Sequence, residues 1–211
     1  MSFDKGLVNH WDEYYKSDDA PSFPSPFAKY VGNKLGTKQT ILEIGCGNGR
    51  DSKFFASQGH QVTGLDRSVE SIELCKKLYS CKSLEFFFGT IANVAKINTK
   101  KFDLIYSRFV FHAMSLREEI ETLKTSYQLL NKDGQFFIEC RSINDPLSHK
   151  GEILSQTERI DGHYRRFIII EEFKQRLIQA GFAITKTTES NGLAKFEKED
   201  PVVIRVCAIK A

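Results

Sequence analysis

The stretch Thr40-Ile41-Leu42-Glu43-Ile44-Gly45-Cys46-Gly47-Asn48-Gly49-Arg50-Asp51-Ser52 passes abruptly from an apolar run through clustered glycines into polar residues. Ile41, Leu42 and Ile44 read as a short buried strand, the glycines turn the chain, and Arg50 to Gln58 begins a helix. Glycine has no Cβ, so its backbone takes left-handed angles and lies against a ligand at van der Waals distance. A strand, a glycine turn and a helix start together form a nucleotide-shaped cradle. The spacing is G-x-G-x-G, whereas the dinucleotide fingerprint G-x-G-x-x-G needs glycine where Arg50 stands. Glu43, two residues ahead of the first glycine, repels a pyrophosphate and suits a ligand carrying a cation or hydroxyls.

With Glu43, Gly45, Gly47 and Gly49 in the form E-x-G-x-G-x-G, the chain resembles the class I S-adenosylmethionine-dependent methyltransferases, small-molecule type. The resemblance implies an α/β fold: a seven-stranded, mostly parallel sheet with an antiparallel C-terminal hairpin and helices on both faces. It implies S-adenosyl-L-methionine as cofactor, its aminoacyl part against Gly45, Cys46, Gly47, Asn48 and Gly49, with Glu43 near its amino group or a helper water. A tight turn that binds nothing is the plain alternative, but such turns rarely need three glycines.

Length and composition set the outer limits. A chain of 211 residues with a hydrophobic fraction of 41% fits one α/β domain with a sizeable core. A net charge of +3 is too small to argue for nucleic acid. Cys46, Cys75, Cys81, Cys140 and Cys207 lack C-x-x-C spacing, so neither a metal site nor a disulfide framework is indicated, and a reducing cytoplasm is expected. No apolar run approaches the length of a membrane span, and Met1 to His10 lacks a signal-peptide core.

A helix over about Leu7 to Lys16 precedes Pro21, Pro24 and Pro26, which force an extended crossing before a second helix, Phe27 to Leu35. Trp11 and Tyr15 either pack this segment on the domain or, as the family resemblance implies, belong to a lid of residues 1–36 over the cofactor. Residues 37–211 then form the methyltransferase domain, with a substrate insert at about 141–167. Gln61 to Asp66 is a second strand whose terminal acid, Asp66, is placed for both ribose hydroxyls, with Arg67 beside it. Ser68 fits better than Asp66 as the cap of the helix Val69 to Leu78. Leu84 to Gly89 is a third strand. Where the family commonly has an aspartate to meet adenine, this chain has Thr90, followed by Ile91.

The fourth strand, Phe102 to Ser107, runs into Arg108-Phe109-Val110-Phe111-His112, which resembles the family stretch flanking the methyl donor and substrate. Ser107 and Arg108 are expected there, and Arg108, a cation so close to a cationic cofactor, hints at an anionic substrate. His112 is either a general base or a residue holding the loop by a hydrogen bond. Leu116 to Leu130 reads as a helix stopped by Asn131-Lys132-Asp133-Gly134, and Gln135 to Cys140 as the fifth strand. Arg141 to Tyr164 reads as the least regular part of the chain and leads into Arg165 and Arg166. Arg141, His163, Tyr164, Arg165 and Arg166 are candidate substrate contacts, because guanidinium forks match phosphate and carboxylate oxygens. Adjacent arginines on an extended segment point to opposite faces, so only one of Arg165 and Arg166 faces a cleft while the other is solvated. Ile168 to Ala180 is a helix, and Phe182 to Thr188 and Pro201 to Lys210 are the last strands.

The expected reaction is in-line displacement, without metal, on a small and anionic metabolite or glycan precursor, and not on nucleic acid or at a membrane. His112 or His163 would serve as base for a hydroxyl acceptor. A cofactor-binding protein without catalysis and an NAD(P)-dependent oxidoreductase are the rival readings. Oligomeric state is open.

Overall fold

A computed structural model of the protein describes residues 10–14, 21–93 and 100–210. Of the N-terminal helix expected over Leu7 to Lys16, residues 10–14 are helical; Tyr15 lies outside the described residues. The chain continues through α1 (Pro26–Gly32), β1 (Thr40–Ile44), α2 (Arg50–Ser57), β2 (Gln61–Asp66), α3 (Val69–Leu78), β3 (Leu84–Phe88) and β4 (Phe102–Arg108). Then come α4 (Leu116–Leu129), β5 (Leu130–Arg141), three short strands β6 (Glu152–Ile153), β7 (Glu158–Asp161) and β8 (His163–Arg166), α5 (Ile170–Gln179), β9 (Phe182–Ser190) and β10 (Val203–Lys210).

The main sheet has the order β3-β2-β1-β4-β5-β10-β9. Its first five members run parallel, and β10 is antiparallel to both β5 and β9. Successive residues of a strand face opposite sides of the sheet, and the central strands are apolar on both. Ile41, Leu104, Tyr106 and Phe137 face one side with Phe27 and Val31 of α1 and Phe55 of α2. Leu42, Ile105, Phe136 and Ile138 face the other with Leu123 of α4 and Phe173 and Leu177 of α5. A parallel sheet covered on both faces leaves the strand ends as the open surface, and β1 is where connections diverge to β2 on one side and β4 on the other.

Local chemistry sets the helix starts. Ser68 caps α3 by accepting the Ser71 amide at 3.0 Å. Ser115 and Glu118 form a reciprocal capping box on α4. Ser25 caps α1 and, with the hydroxyl of Tyr106, donates to the buried carboxylate of Asp51 in α2 (2.7 to 2.8 Å), fastening the proline crossing to both helix and sheet.

Two expectations are corrected. Asn131 to Gly134 is a bulge inside β5, because Phe102 pairs with Leu130 and Leu104 with Gln135, leaving those four residues without register partners, with Asp133 at φ 61°. The insert is regular: β6, β7 and β8 form an antiparallel sheet whose last two strands turn at Gly162, and Arg141 ends β5. Among the described residues, no helix is long and apolar enough to cross a membrane.

Glu119 of α4, fully buried, is held by Arg166 of β8 and Arg176 of α5, so one carboxylate joins three elements. Removing one member of a buried ion network leaves uncompensated charge, a cost of about 3–5 kcal/mol. Glu119→Ala is therefore expected to lose that much in urea denaturation. Arg117→Ala, which breaks an exposed pair with Glu121, is expected to change stability by less than about 1 kcal/mol.

Candidate active site

A cavity of about 670 Å3 opens at the carboxyl ends of β1, β2 and β4. Its floor is the turn after β1. Gly45, Gly47 and Gly49 all take positive φ (73°, 53° and 73°), and the Gly45 and Cys46 amides both donate to the Leu65 carbonyl (2.7 and 2.8 Å). A Cβ on Gly45 would stand 2.2 Å from Val110 and one on Gly49 2.8 Å from the Cys75 sulfur. Conformation and space thus both demand glycine, and the turn presents main chain to the cavity.

Asp66 closes one side. Its carboxylate accepts the Gly47 amide at 2.8 Å and the Ser68 amide at 2.9 Å. Ser68 is the cap, as expected, yet Asp66 is engaged too, by the amides of Gly47 and Ser68 and by that of Arg67. Burial raises its pKa while the amide donors oppose the rise. Glu43 is buried beside the floor and accepts the Ser52 hydroxyl; burial, then the neighbouring Asp51 carboxylate, push its pKa well above the usual carboxylate range. Thr90 lines the cavity with Ile91, but its amide and hydroxyl both donate to the Asn93 side-chain oxygen (2.9 and 2.7 Å).

The expected residues after β4 separate. Ser107 is fully buried, donates weakly to the Ile44 carbonyl at 3.4 Å and is not a wall of the cavity. Arg108 is a wall, but its guanidinium pairs with the buried Glu139 at 2.9 Å, a carboxylate that also holds Arg205 at 2.7 Å. Its charge is met internally, which removes the hint it gave of an anionic ligand. His112 lies behind the wall, and its Nδ1 accepts the Arg141 amide at 3.2 Å. Burial first, then the cations Arg141 and Arg165, hold its pKa well below the usual imidazole range. Of the two roles considered for His112, this geometry serves the loop-holding one.

The insert divides likewise. Arg165 lines the cavity and donates to the Asp161 carbonyl at 2.9 Å; among the described residues no carboxylate stands within ion-pair distance of it. Arg166 points the other way, as alternation on a strand requires, but it is buried on Glu119 and the Phe111 and Met114 carbonyls and is not solvated. Tyr164 donates to Glu158 at 2.5 Å, outside the cavity wall. Arg141 faces the cavity while paired with Asp145 at 3.0 Å and Glu199 at 3.1 Å. His163 faces it too, stacked on His10 at 4.1 Å and 5.4 Å from the Trp11 ring. Trp11 is thereby brought to the roof, and Asp12 accepts the Ser68 hydroxyl at 2.5 Å. Among the described residues no group of three or more potential ligands is placed to hold a metal ion.

Sequence reasoning missed several walls. Phe23 of the proline crossing meets Phe196 of the β9–β10 loop at 6.4 Å between ring centroids, and Lys195 and Glu199 of that loop also line the cavity. Asn191-Gly192 marks the loop in the sequence, but nothing local tells where it folds. Phe109, at φ 61° with the Arg108 guanidinium 4.1 Å above its ring, is a further wall; a non-glycine residue in this region signals a functional position only once the structure is known.

A family model described as a methyltransferase domain matches residues 15–187. An uncharacterized methyltransferase of Alkaliphilus oremlandii is 26% identical over 80% of this chain and 74% of its own length. Among solved structures, the CcbJ methyltransferase of Streptomyces caelestis superposes with a TM-score of 0.71 at 16% identity, covering 92% of this chain and 94% of that one. The 1,6-didemethyltoxoflavin-N1-methyltransferase of Burkholderia thailandensis, solved with its namesake substrate and S-adenosylhomocysteine, gives 0.66 at 20% identity, covering 88% and 77%.

His163 yields a pH prediction. Burial, then the charges of Arg165, His10 and Arg141, lower its pKa from 6.5 to about 3, so the unfolded chain takes up this proton first as pH falls. The stability tied to His163 is thus intact above about pH 6.5 and is lost progressively toward pH 3. In urea midpoints measured against pH, His163→Gln is expected to flatten that decline relative to the wild type.

Proposed function

The chain belongs to the methyltransferase-domain family, and from that premise we propose that it methylates a small, anionic metabolite or glycan precursor within this cavity, with S-adenosyl-L-methionine as methyl donor. The protein is a methyltransferase of the class I fold. The observation that carries the acceptor's charge is Arg165: a guanidinium in the wall, partly out of water, with no carboxylate to match it among the described residues. Burial first, then the nearby Arg141, lower its pKa, while Asp161, Glu199 and Asp145 oppose the fall from beyond ion-pair distance.

The residues present fit the cofactor. In the floor Gly45 and Gly49 have no room for a Cβ, which keeps the turn close to main chain and suits a ligand lying flat on it. Asp66, a carboxylate in the wall at the tip of β2, is assigned to the ribose hydroxyls. Glu43 supplies a buried carboxyl beside the floor, and Thr90 and Ile91 an apolar and hydroxyl wall. When bound, S-adenosyl-L-methionine supplies a methyl group on a sulfonium, already a good leaving group.

The protein's own task is then positioning. Arg165, assisted by Arg141, holds the acceptor's anionic group and fixes its nucleophile; such placement is worth up to about 7–11 kcal/mol in favourable cases. A phosphate or carboxylate nucleophile is already ionised and asks for no base. For a hydroxyl, His163 in the wall is the base we propose; with its pKa held at about 3 it is a weak proton acceptor, and it strengthens as the acceptor's negative charge offsets Arg165 and Arg141, while His112 holds the β5 end through the Arg141 amide. Residues 1–36 serve as a lid: Trp11 packs over His163, and Asp12 ties the segment to Ser68 next to Asp66. Residues 141–167 supply the acceptor side. All five thiols are free, which agrees with work in a reducing cytoplasm.

A methyl-transfer assay over a panel of anionic metabolites and their neutral analogues tests this reading, and activity confined to the neutral ones would overturn it. Asp66→Ala is expected to weaken S-adenosylhomocysteine binding by about 1.5–3 kcal/mol in calorimetry, the worth of a hydrogen bond to a charged group. Arg165→Ala is expected to raise the acceptor's KM by roughly one to two orders of magnitude on the same grounds, with S-adenosylhomocysteine affinity unchanged.

A further inference from the structure

Arg141 has two carboxylate partners of different character. Asp145 is buried, and its other oxygen accepts the Leu147 amide at 2.9 Å, so it is fixed in the wall. The Glu199 side chain is 67% exposed and reaches Arg141 through one contact of 3.1 Å. Glu199 stands at the end of a tight turn in which it and Phe196 exchange backbone hydrogen bonds (3.0 and 2.8 Å). The base of this loop is anchored, since Asp200 accepts the Gly192 amide at 2.6 Å and lies 3.7 Å from the Lys195 ammonium. An exposed carboxylate is thus carried on a fixed base into the wall of the cavity, beside the wall residue Arg165 that has no carboxylate of its own.

We propose that Glu199 holds the place of the acceptor's anionic group on Arg141, and that an acceptor bearing a carboxylate or phosphate binds by turning this side chain out. The proposal rests on the anionic-acceptor reading above. With Glu199 turned out, Arg141 keeps its bond to Asp145 and frees the donor that held Glu199. That donor and Arg165 then face the cavity together, and an anionic group with two or more oxygens takes both. The negative charge of Glu199, with those of Asp161 and Asp145, already favours the charged form of Arg165, as expected of a group standing where the ligand's charge will stand. Because Glu199 turns out into water, where most of it already lies, and Arg141 keeps the buried Asp145, displacement costs little, and a neutral acceptor gains nothing by it. Glu199 therefore acts as a specificity-determining residue: it satisfies the site without a ligand and selects for a ligand that brings its own negative charge.

The test uses the full chain saturated with S-adenosylhomocysteine and two probes, benzoate and inorganic phosphate, which separate the carboxylate and phosphate forms of the ligand. The readout is fluorescence of Trp11, the single tryptophan, 5.4 Å from His163 at this end of the cavity. Glu199→Gln is expected to bind at least one probe about two- to fivefold more tightly than wild type, the worth of an ion pair with one partner in water. Glu199→Ala should do the same, and Arg165→Ala should bind more weakly than wild type. Tighter binding is opposite in sign to damage, and unchanged S-adenosylhomocysteine affinity reports an intact fold. If Arg165→Ala weakens probe binding but both Glu199 variants bind as wild type or worse, the place-holding role is overturned and the anionic-acceptor reading stands. If neither probe binds the wild type or Glu199→Gln, or Arg165→Ala changes nothing, that reading falls and the role of Glu199 with it.

Discussion

The bond from the Gly47 amide to the Asp66 carboxylate ties the turn after β1 to the tip of β2, and the cavity takes its shape from that tie. With it, and with two amides of the same turn donating to the Leu65 carbonyl, the three glycines at positive φ are held in one conformation. Burial of Asp66 strengthens the arrangement, because a carboxylate withdrawn from water needs its amide donors. The parallel sheet places this surface at an end rather than a face, both faces being filled by helices.

Above the floor, charge is sorted by pairing. Glu139 takes Arg108 and Arg205; Glu119 takes Arg166 and Arg176; Asp145 and Glu199 take Arg141. Each of these guanidinium groups serves the fold while partly or wholly shielded, where an unmatched charge would be expensive. Arg165 departs from the pattern, and it does so in the wall of the cavity. Among the described residues it hydrogen bonds a carbonyl and has no carboxylate within ion-pair distance, and that difference is the ground for proposing an anionic acceptor.

Much of the architecture was legible in the sequence because it is written in local patterns. The bounds of β2 and α3 followed from a strand ending in an acid and a serine cap, and β1 with its glycine turn from an apolar run meeting residues without Cβ atoms. The bulge at Asn131–Gly134 was read as a turn because its residues are turn formers; only the pairing with β4 shows that the strand runs through it. The same local patterns locate the glycine turn and Asp66, which the fold brings to one cavity. What escaped was set by distant packing: the fate of Arg108 and Arg166 depended on Glu139 and Glu119, which no local signal connects to them. The walls from Phe23 and Phe196 come from opposite ends of the chain, and nothing in either segment names the other.

The roof over the cavity is assembled from seams of two kinds. Phe23 and Phe196 meet ring to ring, so parting them exposes apolar surface, a force that weakens on cooling. Glu199 and Arg141 meet as ions near solvent, a force that dissolved salt screens and cooling leaves in place. The same loop therefore answers to cold along one edge and to brine along the other, and which edge yields first is set by the medium.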